Sequence, residues 1–113
     1  MSLVIGNDAE TAAMEYLQAQ GLSLVARNVH CRWGELDLIM QDQQALVFVE
    51  VKARTSERFG GGLGALTYGK QQKLRRAAQW YLARQTNPNM ACRFDVVTLG
   101  LSDQSCTWIR NAF

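Results

Sequence analysis

At 113 residues, with 48% hydrophobic and 19% charged content, the chain fits one globular domain with one core. No apolar run reaches bilayer-spanning length, and Met1-Ser2-Leu3-Val4-Ile5-Gly6 lacks the basic region and apolar core of a signal, so a cytoplasmic protein is expected. The net charge of +2 divides unevenly: residues 1–50 hold two arginines against seven acids, and residues 51–113 hold ten Lys and Arg against three acids. An acidic half joined to a basic half suits a polyanionic substrate.

Asn7-Asp8-Ala9-Glu10 is expected to open a helix that runs to about Gln20. Ala12, Ala13, Tyr16 and Leu17 supply an apolar face, and Gly21 is a helix stop. Glu10 follows Asn7 by three residues, the spacing of a capping box. Its other reading is a carboxylate brought from the helix start toward a site downstream. Leu22 to Arg27 reads as a short strand, and Asn28 to Trp33 as its connection. His30 and Cys31 are adjacent, but nothing nearby supplies two more zinc ligands. Cys31, Cys92 and Cys106 are odd in number and widely spaced, which suits reduced thiols.

The stretch Gly34 to Lys52 carries the most chemistry. Gly34-Glu35-Leu36-Asp37-Leu38-Ile39-Met40 and Ala45-Leu46-Val47-Phe48-Val49-Glu50-Val51-Lys52 read as two strands around Asp42-Gln43-Gln44. Alternation puts Glu35 and Asp37 on one face, and likewise Glu50 and Lys52. A two-residue turn at Gln43-Gln44 sets Asp42 opposite Ala45, Asp37 opposite Glu50 and Glu35 opposite Lys52. A three-residue loop would instead send Asp37 and Glu50 to opposite faces. Facing carboxylates in a partly buried sheet raise one another's pKa or take a cation between them. Oxygen donors suit hard Mg²⁺ or Mn²⁺. The plain alternative is a solvated polar stripe, against which the apolar density argues for a central strand buried on both faces.

Thr55 to Tyr68 contains Gly60-Gly61-Gly62-Leu63-Gly64, read as a mobile flap or a flexible connector. Gly64 to Lys70 matches G-x-x-x-x-G-K, but Gln71 stands where a phosphate loop needs Ser or Thr and no strand directly precedes it. Lys70 to about Gln85 is the second helix, with Leu74, Ala77, Ala78, Tyr81 and Leu82 on one face. Lys70, Lys73, Arg76, Trp80 and Arg84 fall in another wedge, which either tracks a phosphate backbone with Trp80 exposed or is simply solvated with Trp80 in the core. Thr86-Asn87-Pro88-Asn89 ends the helix. Arg93 to Leu99 is a further strand, in which Asp95 either contacts the site or pairs with Arg93. Thr107-Trp108-Ile109-Arg110 reads as a last edge strand. The expected order is αβββαβ with an extra edge strand, a mixed sheet covered by helices in one α/β domain.

Asp37, followed after a hairpin by Glu50-Val51-Lys52, resembles the PD-(D/E)xK nuclease motif. More narrowly, the chain resembles the bacterial YraN family of predicted endonucleases, distant relatives of archaeal Holliday junction resolvases. The resemblance rests on Ala9-Glu10, Asn28, Gly34 to Ile39, Phe48 to Arg54 and Arg93 to Val97. Leu36, where the motif name has proline, is its one departure. It implies a restriction-endonuclease-like core over residues 1–113 and a Mg²⁺- or Mn²⁺-dependent endonuclease. The resemblance names no substrate; the expected one is branched or junction DNA, with no membrane partner and with a homodimer allowed. Asp37, Glu50 and the Val51 carbonyl would hold the metal, and Glu10 would approach directly or through water.

Lys52 would be catalytic. Its neighbouring carboxylates should favour the charged form, so a cation that positions the attacking water is preferred over a general base. Arg54, Lys70, Lys73 and Arg76 would grip flanking phosphates. Two other classes compete: a non-catalytic nucleic-acid-binding module on the same fold, and a small adaptor domain that leaves Asp37, Glu50 and Lys52 without a role.

Overall fold

The helix stop at Gly21 is built as the sequence demands. Gly21 takes φ of 103°, a value open to glycine and strained for other residues. Its N–H donates to the Gln18 carbonyl at 3.0 Å, and the Leu22 N–H reaches back to the Leu17 carbonyl at 3.1 Å. That pair of bonds is a Schellman cap. The computed structural model describes residues 2–54, 66–87, 89–100 and 105–113. The glycine-rich segment, and with it residues 55–65 of the expected flap and the first two residues of the G-x-x-x-x-G-K match, lies outside the described residues.

Helix α1 spans Ser2–Ala19, followed by strands β1 (Ser23–Cys31), β2 (Gly34–Asp42) and β3 (Ala45–Arg54). Helix α2 (Tyr68–Leu82) leads to β4 (Cys92–Gly100) and β5 (Cys106–Ile109). The expected element order holds, including the last edge strand. Two local expectations do not. The first helix is already running at Ser2, so Asn7 and Glu10 are interior residues and there is no capping box between them. Strand β1 continues to Cys31, through the stretch expected to be a connection. Its residues Arg27, Asn28 and His30 are polar because β1 is an edge strand, partly open to solvent.

The five strands form one mixed sheet in the order β1-β2-β3-β4-β5. β3 is central, parallel to β4; every other pairing is antiparallel. The Gln43-Gln44 turn sets Asp42 opposite Ala45, and Gln43 accepts a left-handed φ of 58° to close it.

Each face of the sheet has its own core. Leu38, Met40, Val47, Val49, Val97 and Leu99 pack with Ala9, Ala13 and Leu17 of α1. Ala12, expected on the buried face of that helix, is exposed. Ile39, Leu46, Phe48, Phe94 and Val96 pack with Leu74, Ala77 and Ala78 of α2. Leu36 also joins this second core, breaking strict alternation with Leu38 near the start of β2. Residues 46–49 are buried on both faces, as expected of a central strand. Among the described residues, no helix is long and apolar enough to cross a membrane.

Candidate active site

β2 and β3 pair from Asp42↔Ala45 to Leu38↔Val49 and then part. β3 continues alongside β4 to Arg54↔Gly100, while β2 continues alongside β1 to Gly34↔Cys31. The sheet therefore opens at Asp37 and Glu50, the first residues past the last β2–β3 pair. Asp37 Oδ2 accepts a hydrogen bond across the gap from the Val51 N–H at 2.9 Å. That bond replaces a ladder bond and turns the Asp37 carboxyl toward Glu50.

Both carboxyls line a cleft of about 290 Å³ with Trp33, Gly34, Glu35, Lys70, Lys73 and Leu74. They share one face, the α2 face, as the two-residue turn requires. Burial raises the Asp37 carboxyl from 3.8 to about 8, helped by the charge of Glu50 and a hydrogen bond between the two side chains, and opposed by the Val51 N–H. Glu50 is only 7% exposed and has two ammonium groups beside it. Lys70 Nζ lies 2.8 Å from Glu50 Oε2, and Lys52 Nζ lies 3.6 Å from the same oxygen.

The two lysines are pushed in opposite directions. Burial lowers Lys52, Lys70 adds to that, and Glu50 only partly offsets it. Glu50 favours the charged form of Lys52, as expected, but burial and a second cation outweigh it and the net shift is downward. For Lys70, burial also lowers the pKa, but its bonds to Glu50 and Lys52 prevail and the net shift is upward.

Glu10 comes from α1, the helix on the other face. Its charge still reaches Asp37. Its carboxyl is raised mainly by burial, with Arg27 and the Asn28 side chain pulling down and Glu35 and Glu50 pushing up. Asn28 sits within β1 at a left-handed φ of 55°, a conformation asparagine tolerates. Arg27 NH2 lies 3.7 Å from Glu10 Oε1, and that buried oxygen has no hydrogen-bond partner. Among the described residues, no three His, Cys, Asp or Glu side chains converge into a metal-holding group. What converges is a pair, Asp37 with Glu50, and Glu10 stands off from it.

The remaining expected site residues are placed as follows. Glu35 is not opposite Lys52. It pairs with His30, whose Nδ1 lies 3.6 Å away, and Lys52 pairs with Thr98 of β4. The expected register fails there because β2 has already left β3. Val51 enters through its N–H; its carbonyl was the expected ligand. Arg54 ends β3, and its side chain lies outside the described residues. Lys73 and Arg76 are exposed on α2. Lys70, grouped with them in sequence, is instead held at Glu50 by the start of α2, where Thr67 caps the helix by accepting from the Lys70 N–H at 3.2 Å.

Asp95 does not contact the site. It is fully buried and accepts from Arg93 Nε, Trp108 Nε1 and the Asn111 N–H at 3.0, 2.9 and 3.0 Å. A wider groove of about 810 Å³ lies by the β2–β3 turn, but its charged lining residues, Asp42 and Arg93, neutralise each other at 3.0 Å. The three cysteines are free thiols.

The family model described as "Uncharacterised protein family UPF0102" matches residues 9–99. The chain belongs to the UPF0102 family. A UPF0102 protein of Nitrosomonas europaea is 47% identical over 109 residues, covering 96% of this chain and 92% of its own. One from Nitrosococcus oceani is 49% identical over 111 residues, covering 96% and 90%. One from Legionella pneumophila is 44% identical, covering 96% and 92%. The match to the UPF0102 model spans Glu10, Asp37, Glu50, Lys52 and Lys70.

One lining residue of the cleft, Trp33, escaped the sequence reading, and Lys70, expected to grip phosphates, sits instead at Glu50. Trp33 looked like part of a connection, yet it lines the carboxylate cleft. Lys70 looked like one surface base among several, and its proximity to Glu50 depends on how α2 lies on the sheet. A tryptophan beside Gly34 at a tight turn was the available signal for the first. No local signal existed for the second.

Proposed function

We propose that this protein is a metal-dependent nuclease that hydrolyses phosphodiester bonds in DNA, on a restriction-endonuclease-like core. The preferred substrate in this reading is branched or junction DNA. The observation that carries the reading is the meeting of the Asp37 and Glu50 carboxyls in an open cleft, with Lys52 beside Glu50. Two carboxyls brought together in one cleft, with a buried carboxylate oxygen on Glu10 that has Arg27 at 3.7 Å but no hydrogen-bond partner, fit a hard divalent cation. Asp37, Glu50 and the Val51 carbonyl would hold it, with Glu10 reached through water. Bound there, the metal would polarise the phosphoryl group and acidify an attacking water.

The protein's own groups supply the rest. The Val51 N–H fixes the orientation of Asp37. Lys52, part-buried beside Glu50, positions the water and counters charge on the pentavalent phosphate. Lys73 and Arg76, exposed on α2, grip flanking phosphates.

One observation favours a second reading, a non-catalytic nucleic-acid-binding module. Lys70 already neutralises Glu50 at 2.8 Å, as a site without a metal would need. Incubating purified protein with junction, flap, single-stranded and linear DNA, and with RNA, in Mg²⁺ or Mn²⁺ separates the two. Cleavage that disappears in Asp37→Asn supports the nuclease. Binding without cleavage of any substrate supports the module.

A further inference from the structure

A second cleft, of about 540 Å³, is lined by Trp33, Arg76, Gln79 and Trp80. Trp33 also lines the carboxylate cleft, so the two clefts adjoin at this side chain. Trp33 packs against the α2-side core, which holds the ring in place. The Arg32 and Arg76 guanidiniums lie 4.5 and 5.3 Å from its ring centroid. Arg84 lies 4.2 Å from the Trp80 ring and donates to the Trp80 carbonyl at 3.0 Å. Among the described residues, the lining of this cleft contains no acid.

A core-packed Trp33 ring with guanidinium planes over it, and the Trp80 ring with Arg84 over it, match the chemistry of a nucleobase with its phosphate. Every base has a π face that stacks on an aromatic ring or a guanidinium plane, whatever the sequence. In a duplex those faces are covered by neighbouring pairs, so a stacking site of this kind takes a nucleotide that is unpaired. We propose that the cleft between the β1–β2 turn and α2 is a base-stacking subsite for an unpaired nucleotide beside the phosphodiester at Asp37 and Glu50. The proposal rests on the nucleic-acid reading above and adds the substrate class: single-stranded or locally unpaired strands. It requires binding, not cleavage.

The test is fluorescence anisotropy in EDTA with three labelled probes: oligothymidylate, an abasic strand of the same length, and a blunt duplex. Wild type binds oligothymidylate more tightly than the other two. Trp33→Leu loses about tenfold on oligothymidylate, the scale of base stacking on one aromatic ring, and nothing on the abasic strand. Trp33→Phe keeps most of the affinity. Lys73→Gln weakens both single strands alike, as a phosphate contact does.

Equal loss on the thymidylate and abasic strands in Trp33→Leu overturns the subsite, as does equal binding of both strands by wild type. Should Trp33→Leu fail to fold, wild-type tryptophan fluorescence decides. Quenching by oligothymidylate but not by the abasic strand supports the subsite, and equal quenching overturns it. If no probe binds, the subsite and the nucleic-acid reading fall together. If the base-dependent pattern holds and Mn²⁺ yields no cleavage, the nuclease reading fails and the subsite stands.

Discussion

Lys70 Nζ sits 2.8 Å from Glu50 Oε2, nearer than Lys52 at 3.6 Å. A lysine from the start of α2 thus neutralises a buried carboxylate of the central strand. Any divalent cation drawn to Glu50 meets an ammonium already in place, and the two cations repel.

Replacing Lys70 therefore has two opposite effects. Lys70→Met keeps the apolar stem and removes the charge. Metal-free stability falls by about 1 kcal/mol, a modest figure because the Lys70 side chain is partly solvated. Mn²⁺ affinity rises by about tenfold, because Glu50 is released from its nearest cation. Thermal melting with and without Mn²⁺ reads both. An unchanged Mn²⁺-dependent shift would mean that Lys70 does not compete at Glu50.

The Asp37 carboxyl, raised from 3.8 to about 8, makes stability depend on pH. Within that window the folded protein keeps a proton that the unfolded chain has released. Stability is therefore full at the acidic end and declines as pH rises through the window, by up to ~1.4 kcal/mol per pH unit. Asp37→Asn keeps an acceptor for the Val51 N–H and removes the titration. The variant gains on wild type at the alkaline end and not at the acidic end. Metal-free urea unfolding across the window measures this, and a wild-type stability that climbs with pH there would contradict the assignment. Glu10, also raised, leaves a residual slope in the variant.

On the nuclease reading proposed above, Asp37→Ala and Lys52→Ala both lose cleavage, by about 10²–10³-fold or more, for different reasons. Asp37→Ala loses a metal ligand, so its Mn²⁺-dependent stabilisation shrinks. Lys52→Ala keeps both carboxylates and retains that stabilisation. DNA binding persists in both, since phosphate grip rests on other cations. Lys52→Arg recovers part of the rate if a fixed cation is what the site needs. Labelled branched DNA with Mg²⁺ or Mn²⁺ is the assay, and an Asp37→Ala variant that cuts like wild type would remove Asp37 from the site.

Asp95 serves the fold. Asp95→Ala strands Arg93, Trp108 Nε1 and the Asn111 N–H, at a cost of about 3 kcal/mol. Arg93 keeps Asp42, at 3.0 Å, which limits the loss. Urea unfolding should show the destabilisation, while cleavage per folded molecule stays at the wild-type rate. A selective loss of cleavage in a stable variant would place Asp95 in the site after all.

The sequence by itself determined the element order, the Gly21 stop, the buried central strand and the shared face of Asp37 and Glu50. These are local properties. Glycine's left-handed freedom, strand alternation and turn length act over a few residues, and the Gln43-Gln44 turn alone sets the parity of the hairpin. Where β2 leaves β3 was decided by the tertiary structure, because β2 follows β1 and β3 follows β4 in a divergence that no hairpin rule contains. That divergence placed Val51 N–H on Asp37 and moved Glu35 to His30. Lys52 is lowered first by its burial and then by Lys70, which lies 18 positions further along the chain and arrives only when Leu74, Ala77 and Ala78 dock α2 on the sheet. Trp33 joined the site for the same reason: a residue at the β1–β2 turn meets α2 only once both pack on one face.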